Sequence, residues 1–253
     1  MNNHPMGLSF KHLLNSGVSI RGIFSGLNSP VIIEMSAYAG FDFVIIDNEH
    51  GTSGYESTEY LLRTANSCGI PAVVRSVPHD ITRLLDAGAT AIQVPMIESA
   101  EQVRNILDMM KYPPIGHRGV AFSSRAAGYG AFGGPGHIDK SNQEIALIAM
   151  IETPKGIDNA FEIASVEGVD AVFIGPNDLA SSCGFGCAWR EQPTKDLIAK
   201  IIKDIKRANK PVGILAIDSK DKTSFSELGA DYFVTVASSV LTQALKKSKE
   251  GLL

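Results

Sequence analysis

A chain of 253 residues with 44% hydrophobic content can bury one large core without a metal or disulfide staple. Its formal net charge of -4 excludes the basic face of a nucleic-acid binder, and the densest cationic run, Lys246-Lys247-Ser248-Lys249, reads as a solvated helix end favoured by the helix dipole. No apolar run approaches the ~20 residues of a membrane helix, the polar start Met1-Asn2-Asn3-His4-Pro5 lacks a signal-peptide pattern, and three cysteines without framework spacing indicate reduced thiols in a cytoplasmic protein.

From residue 20 onward, short β-branched runs alternate with amphipathic stretches. An apolar run covers 20–24 and a second covers Phe43–Asp47, followed by a helical pattern over 57–66. The third run, Ala72–Arg75, leads to a short helix ending at Asp86. The fourth, Ala91–Val94, leads to a helix over Ala100–Met110. Residues 112–142 show no clear element and are rich in glycine, with Arg118 and Arg125 among them. Ordered loops of that length are usually functional. Then come a run over Ala146–Ile151, a helix over 156–164, a run over 171–174 and a helix over 194–208. In between, Cys183 and Cys187 lie in a Gly-rich loop with no further ligands to complete a zinc site. A run over 212–216, a helix over 219–228 closed by Gly229, and a run over Tyr232–Val236 complete the series. Val240, Leu241, Ala244 and Leu245 then recur at helical spacing within a final helix over 237–253.

Most of these runs are continuously apolar, the pattern of strands buried on both faces in a parallel sheet. Eight strands with helices between them and no composition break favour one closed barrel over a doubly wound sheet. The expected fold is α/β, a single-domain (β/α)8 TIM barrel spanning 1–253, which matches the ~250 residues such barrels need.

Barrels carry their reactive groups at the C-terminal ends of strands. Here those ends read Asp47-Asn48-Glu49-His50, Arg75, Glu152-Thr153-Pro154 and Gly175-Pro176-Asn177-Asp178. Glu152 and Asp178 suit a hard cation such as Mg²⁺, Mn²⁺ or Co²⁺. The alternative is that each caps a following helix. The Gly175-led turn exposes backbone N–H groups able to hold a carboxylate. His50, beside Glu49, suits general acid–base work, or is simply a loop histidine. Arg75 ends a buried strand and needs an anion: Asp47, Glu49, or a substrate oxyanion. Asp86 sits at a helix C-terminus, where the dipole disfavours a carboxylate, so it is read as serving another group, with His50 the candidate.

Several segments stand out in chain order. They are Gly40-Phe41-Asp42-Phe43-Val44-Ile45-Ile46-Asp47-Asn48-Glu49-His50, Leu84-Leu85-Asp86-Ala87-Gly88-Ala89, Val94-Pro95-Met96, His117-Arg118-Gly119-Val120, Ile151-Glu152-Thr153, and the stretch from Gly168 through Gly175-Pro176-Asn177-Asp178-Leu179. Together they resemble the HpcH/HpaI aldolase family, which includes 4-hydroxy-2-oxo-acid and 2-dehydro-3-deoxyglucarate aldolases and is related to the citrate lyase β subunit. The resemblance runs from about residue 13 to 245. It implies a divalent-metal-dependent aldolase that cleaves a 4-hydroxy-2-oxo acid to pyruvate, or a similar 2-oxo acid, and an aldehyde.

It implies roles as well. His50 would be the catalytic histidine with Asp86 as its partner, and Arg75 would bind the keto oxygen and the developing enolate. Glu152 and Asp178 would hold the metal, with the pyruvate carboxylate at Gly175, Asn177 and Asp178. It also implies a homohexamer with exchanged C-terminal helices and sites completed by a neighbouring subunit. Two features depart from the family. Met150 stands where members carry Gln, and the interval from Arg75 to Asp86 is about one helical turn short. Met150 keeps a second chemistry in view, 2-oxo-acid decarboxylation or thioester cleavage on the same scaffold. A non-catalytic oxo-acid binder is a third reading, although a binder needs no base such as His50. Aldehyde choice is expected to rest with residues 117–137.

Overall fold

The computed structural model describes residues 6–251. The polar segment 1–5 and the last two positions of the expected C-terminal helix, 252 and 253, lie outside them. Eight parallel strands close into a barrel in sequence order. They are β1 (Ile20–Ser25), β2 (Phe43–Asp47), β3 (Ala72–Arg75), β4 (Ala91–Val94), β5 (Ala146–Ile151), β6 (Val169–Ile174), β7 (Val212–Leu215) and β8 (Tyr232–Val236). Every expected run is a strand, with shifts of one or two residues at the ends of β1, β6 and β7.

The helices are α1 (Phe10–Leu14), α2 (Pro30–Tyr38), α3 (Tyr55–Cys68), α4 (Ile81–Asp86), α5 (Ala100–Met110), α6 (Pro135–Glu144), α7 (Pro154–Asp158), α8 (Ala160–Ser165), α9 (Pro176–Ser182), α10 (Gln192–Arg207), α11 (Ser219–Glu227) and α12 (Ala237–Glu250). No helix among the described residues is long and apolar enough to cross a membrane.

Strand alternation divides the core in two. Phe43 and Ile45 of β2 point into the barrel with Val73, Ile148, Met150, Phe173 and Tyr232. Val44 and Ile46 point outward against the helices. The outer layer is built by stripes such as Ile198, Ile201, Ile202 and Ile205 of α10, all fully buried. The barrel floor is closed by α1, whose Phe10 ring centroid lies 4.8 Å from that of Phe43 and 6.1 Å from that of Tyr232. Gly22 and Gly213 leave room for these large rings. A Cβ at Gly213 would fall 2.1 Å from Tyr232 Cε2. With the floor plugged, the open end is the C-terminal rim.

Two helical expectations need correction. The stretch 156–164 is not one helix: α7 and α8 meet at Asn159. Its side-chain N–H donates to the Glu98 carbonyl at 2.7 Å, which gives the break a partner. The stretch 112–142 is not without elements. It holds a 3-10 turn over Arg125–Gly130 and most of α6. The α6 segment is polar and buries only His137 and Ser141, so it offers little periodicity to read.

Candidate active site

A cavity of about 360 Å³ opens at the C-terminal rim. Asp47, His50, Arg75, Asn177 and Asp178 line one side, and Phe24, Met150, Phe173, Leu215 and Val236 line much of the rest. Strand register places Asp47 directly beside Arg75. Arg75 donates from Nε to Asp47 Oδ1 at 2.9 Å and from Nη2 to Asp47 Oδ2 at 2.6 Å. Its Nη1 stands 3.2 Å from Glu49 Oε2, and its Cζ lies 4.9 Å from the Phe24 ring centroid. Both Asp47 and Arg75 are buried.

Such a pair survives burial only with good geometry and further hydrogen bonds. Asp47 Oδ1 obtains them from the N–H groups of Glu49 at 3.1 Å and His50 at 3.3 Å. Burial pushes the Asp47 carboxyl up, but the hydrogen bonds and charge of Arg75, with those two N–H groups, hold it below its ordinary value. Burial lowers Arg75, and Asp47 and Glu49 more than restore it. The guanidinium is therefore charged, fixed, and still has N–H groups to spare. Sequence reasoning treated Asp47 only as a structural partner for Arg75. Here it also lines the cavity and anchors the turn that carries His50. The His50 side chain is 65% exposed, with Nε2 3.8 Å from Glu49 Oε2.

Glu152, just past β5, is 2% exposed. Its Oε2 accepts from the Met96 N–H at 3.1 Å. Met96 adopts a positive φ of 57° to present that donor. The capping alternative for Glu152 fails, because Thr153 is the N-cap of α7 and its Oγ1 accepts from the Gly156 N–H at 3.1 Å. It fails for Asp178 too, which sits in the first turn of α9 while Gly175 is the N-cap. Both carboxylates thus remain free of helix duty. Burial raises the Glu152 carboxyl to about 7. The Met96 N–H opposes the rise, the charges of Asp178 and Glu49 add to it, and Arg75 opposes it.

The chemistry of this pair fits a hard divalent cation. A cation beside Glu152 would offset its crowding by Asp178 and Glu49. No group of three or more His, Cys, Asp or Glu side chains among the described residues could hold a metal. Two carboxylates are nonetheless a usual protein share for Mg²⁺, which completes its shell with water and substrate oxygens. Gly175 forms the cradle: a Cβ there would lie 2.2 Å from Glu152 Oε1 and 2.8 Å from Met150 Cε.

Residues 21–241 match the family described as HpcH/HpaI aldolase/citrate lyase. The chain belongs to this family. Among its relatives, the hydroxypyruvate/pyruvate aldolase of Deinococcus radiodurans is 36% identical over 247 residues, covering 96% of this chain and 88% of that protein. The 4-hydroxy-2-oxovalerate aldolase of Novosphingobium aromaticivorans is 36% identical over 228 residues, covering 88% of this chain and 86% of that one. Among solved structures, the citrate synthase SbnG superposes with a TM-score of 0.85 at 30% identity, covering 96% of each chain.

Two features marked as departures from the HpcH/HpaI pattern are now located. Met150 is 3% exposed and lines the cavity, where its Sδ accepts from Gln93 Nε2 of β4 at 3.1 Å. Asp86, at the end of α4, is not among the residues lining the cavity. Its Oδ1 accepts from Arg118 Nη2 at 2.7 Å. No hydrogen bond joins it to His50 among the described residues, so the single chain does not form that dyad. Within the chain Asp86 is instead the counter-ion of the buried Arg118, whose guanidinium also lies 4.5 Å from the Tyr112 ring centroid. The same pairing resolves the conflict of Asp86 with the dipole of α4.

Proposed function

We propose that the chain is a divalent-metal-dependent aldolase. It cleaves a 4-hydroxy-2-oxo acid to pyruvate, or a similar 2-oxo acid, and an aldehyde, and it runs in reverse. The observation that carries this reading is that rim-exposed Asp178 and the Asp47-braced Arg75 line one cavity, while the buried Glu152 carboxylate lies directly behind its lining residue Gly175, within the electrostatic reach of both. The names of the two curated relatives support the reaction class.

In this reading Glu152 and Asp178 would hold Mg²⁺, Mn²⁺ or Co²⁺, which would supply Lewis-acid chemistry for the 2-oxo group. The first-turn N–H groups at Asn177 and Asp178, which lack a side-chain cap at Gly175, receive the substrate carboxylate. The remaining N–H groups of Arg75 donate to the 2-oxo oxygen. His50 takes the proton of the 4-hydroxyl as the C3–C4 bond breaks and the aldehyde leaves. The bonding pair stays on the three-carbon fragment as an enolate, and protonation at its C3 gives the free 2-oxo acid. Asp47 holds Arg75 in place throughout and cannot itself carry the proton, because it is held ionised.

Assembly as a homohexamer with exchanged C-terminal helices belongs to the same reading. Among the described residues of α12 only Ala237 is buried, while Val240, Leu241 and Leu245 are 47%, 42% and 63% exposed. An apolar stripe left in water calls for a covering surface. A neighbouring subunit is that surface here. Light scattering at micromolar concentration should return a hexamer, and a monomer would sink this part.

A second reading, another carbon–carbon bond reaction through a 2-oxo-acid enolate, is favoured by Met150 and by the likeness to a citrate synthase. One assay separates the two. With Mn²⁺ and a 4-hydroxy-2-oxo acid, the aldolase releases equal amounts of 2-oxo acid and aldehyde. Chelator, Glu152→Gln or Asp178→Asn should each abolish that release. Full activity in chelator would remove the metal, and carbon dioxide instead of an aldehyde, or cleavage of an acyl thioester supplied in place of the hydroxy acid, would favour the second reading.

A further inference from the structure

Inside the barrel, Gln93 of β4 and Met150 of β5 meet as buried neighbours through the Gln93 Nε2 to Met150 Sδ contact at 3.1 Å. Met150 lines the cavity, and Gln93 is not among its lining residues. On this strand pair the thioether, not the Gln93 carboxamide, is therefore the group that faces the cavity. A thioether is a weak acceptor and no donor. Around it, Phe24, Phe173, Leu215 and Val236 continue an apolar wall, in which Ser238 is the one hydroxyl. The charged and amide side chains of the cavity are Asp47, His50, Arg75, Asn177 and Asp178. Met150 also reaches the cradle itself, since its Cε is 2.8 Å from where a Cβ at Gly175 would be.

We propose that Met150 selects the 2-oxo acid, favouring pyruvate and its alkyl homologues over acids that carry a polar group on C3. This rests on the aldolase reading. There the carboxylate takes the start of α9 and the 2-oxo oxygen takes Arg75, so the carbon that remains, C3, faces the apolar wall and the Met150 thioether. A methyl or ethyl end fits such a wall. A C3 hydroxyl would lose its water there and gain a sulfur in exchange. An apolar pocket rejects an added hydroxyl only moderately, by roughly 10- to 100-fold. That is the preference expected. It would set this chain apart from a relative named for both hydroxypyruvate and pyruvate.

The test uses the full chain with Mn²⁺ and follows deuterium exchange at C3 by proton NMR in D₂O, which needs no aldehyde. Pyruvate and 2-oxobutyrate should exchange with kcat/KM roughly 10- to 100-fold above that of 3-hydroxypyruvate. Met150→Gln, of nearly the same length, should cut that ratio at least tenfold, while Met150→Leu keeps it. The rise in melting temperature produced by each acid, which needs no turnover, should rank the acids in the same order. A wild-type enzyme that handles 3-hydroxypyruvate as well as pyruvate overturns the proposal, even should Met150→Gln fail to fold. An unchanged ratio in folded Met150→Gln also overturns it. Exchange of no 2-oxo acid at all by folded, Mn²⁺-supplied protein overturns the aldolase reading itself, a distinct result.

Discussion

Gly175→Ala isolates the cradle between the two carboxylates. Gly175 has an ordinary extended φ of -92°, so alanine imposes no backbone strain there. The difficulty is space. The new Cβ would stand 2.2 Å from Glu152 Oε1, where ordinary contact begins at 3.4 Å, so the carboxylate must retreat by about 1.2 Å. The Met150 methyl, at 2.8 Å, is the far end of a flexible side chain and yields readily. Overpacking costs about 1–3 kcal/mol, and loss of glycine freedom in the unfolded chain returns about 0.4–1. The net loss of stability should stay below about 3 kcal/mol. The functional loss should be far larger, because a misplacement of about 1 Å at a reacting centre costs on the order of 10²-fold in rate.

Gly26→Ala is the matched control. It lies on the same cavity, and its Cβ would meet Gly51 Cα at 3.7 Å and Asp47 Oδ2 at 3.9 Å, both comfortable contacts. Circular dichroism melts, Mn²⁺ titration by calorimetry and C3 exchange of pyruvate measure the three quantities. Gly175→Ala should stay folded, bind Mn²⁺ more weakly and lose about 10²-fold in exchange. Gly26→Ala should change each by only a few fold. Wild-type Mn²⁺ affinity and turnover in Gly175→Ala would refute the assignment of Glu152 to the cation.

His50→Ala should lower kcat for aldol cleavage by roughly 10²–10⁴, the usual weight of general acid–base catalysis. Its melting temperature should hold, since the side chain is 65% exposed; an unchanged kcat would move the proton to another group. The Glu152 carboxyl gives a pH test on metal-free protein. Its folded value, about 7, lies above the ordinary 4.5. The folded state therefore holds a proton that the unfolded chain has released. The stability this group contributes is full below pH 4.5 and is lost as pH rises through about 7, by on the order of 3 kcal/mol. Urea denaturation should show that decline in wild type and not in Glu152→Gln; parallel curves would mean that Glu152 is not the buried acid.

The barrel was legible because parallel strands buried on both faces write themselves as unbroken apolar runs. Ala146–Ile151 could be little else. Position also gave the rim, since Arg75 and Glu152 follow or end such runs and polar groups there are conspicuous. What stayed hidden was pairing across strands. Nothing in the sequence distinguishes Asp47 from Glu49 as the main partner of Arg75; the parallel register does, by setting Asp47 directly opposite. Likewise Thr153, not Glu152, caps α7, a choice made by backbone angles one residue apart. The apolar half of the cavity was missed because Phe24, Phe173, Leu215 and Val236 read as ordinary strand residues. Their inward parity at the C-terminal ends was the available signal. The pairing of Asp86 with Arg118 within the chain was not legible because the two lie 32 residues apart, beyond any local pattern.

The charge balance of the rim ties these observations together. Asp47, Glu49, Glu152 and Asp178 bring four carboxylates to one region, and Arg75 brings the one guanidinium that influences them. Asp47 is neutralised by the bidentate pair, and Glu49 shares the remainder of the Arg75 charge. That leaves Glu152 and Asp178 in excess, with Glu152 deep and Asp178 at the mouth. Deep burial of an ionised acid without a cation costs free energy, which is why the Glu152 carboxyl is raised to about 7. In the proposed reading a divalent cation would displace its proton and turn the same excess into binding energy. The rim would then attract an anionic 2-oxo acid that the excess carboxylates would otherwise repel. Arg75 is already rigid when that acid arrives, because Asp47 has fixed it before any substrate is present. Acids that look alike in sequence thus differ in their partners: Asp47 braces Arg75, Glu49 balances its remaining charge, and Glu152 with Asp178 would, in the proposed reading, receive the cation.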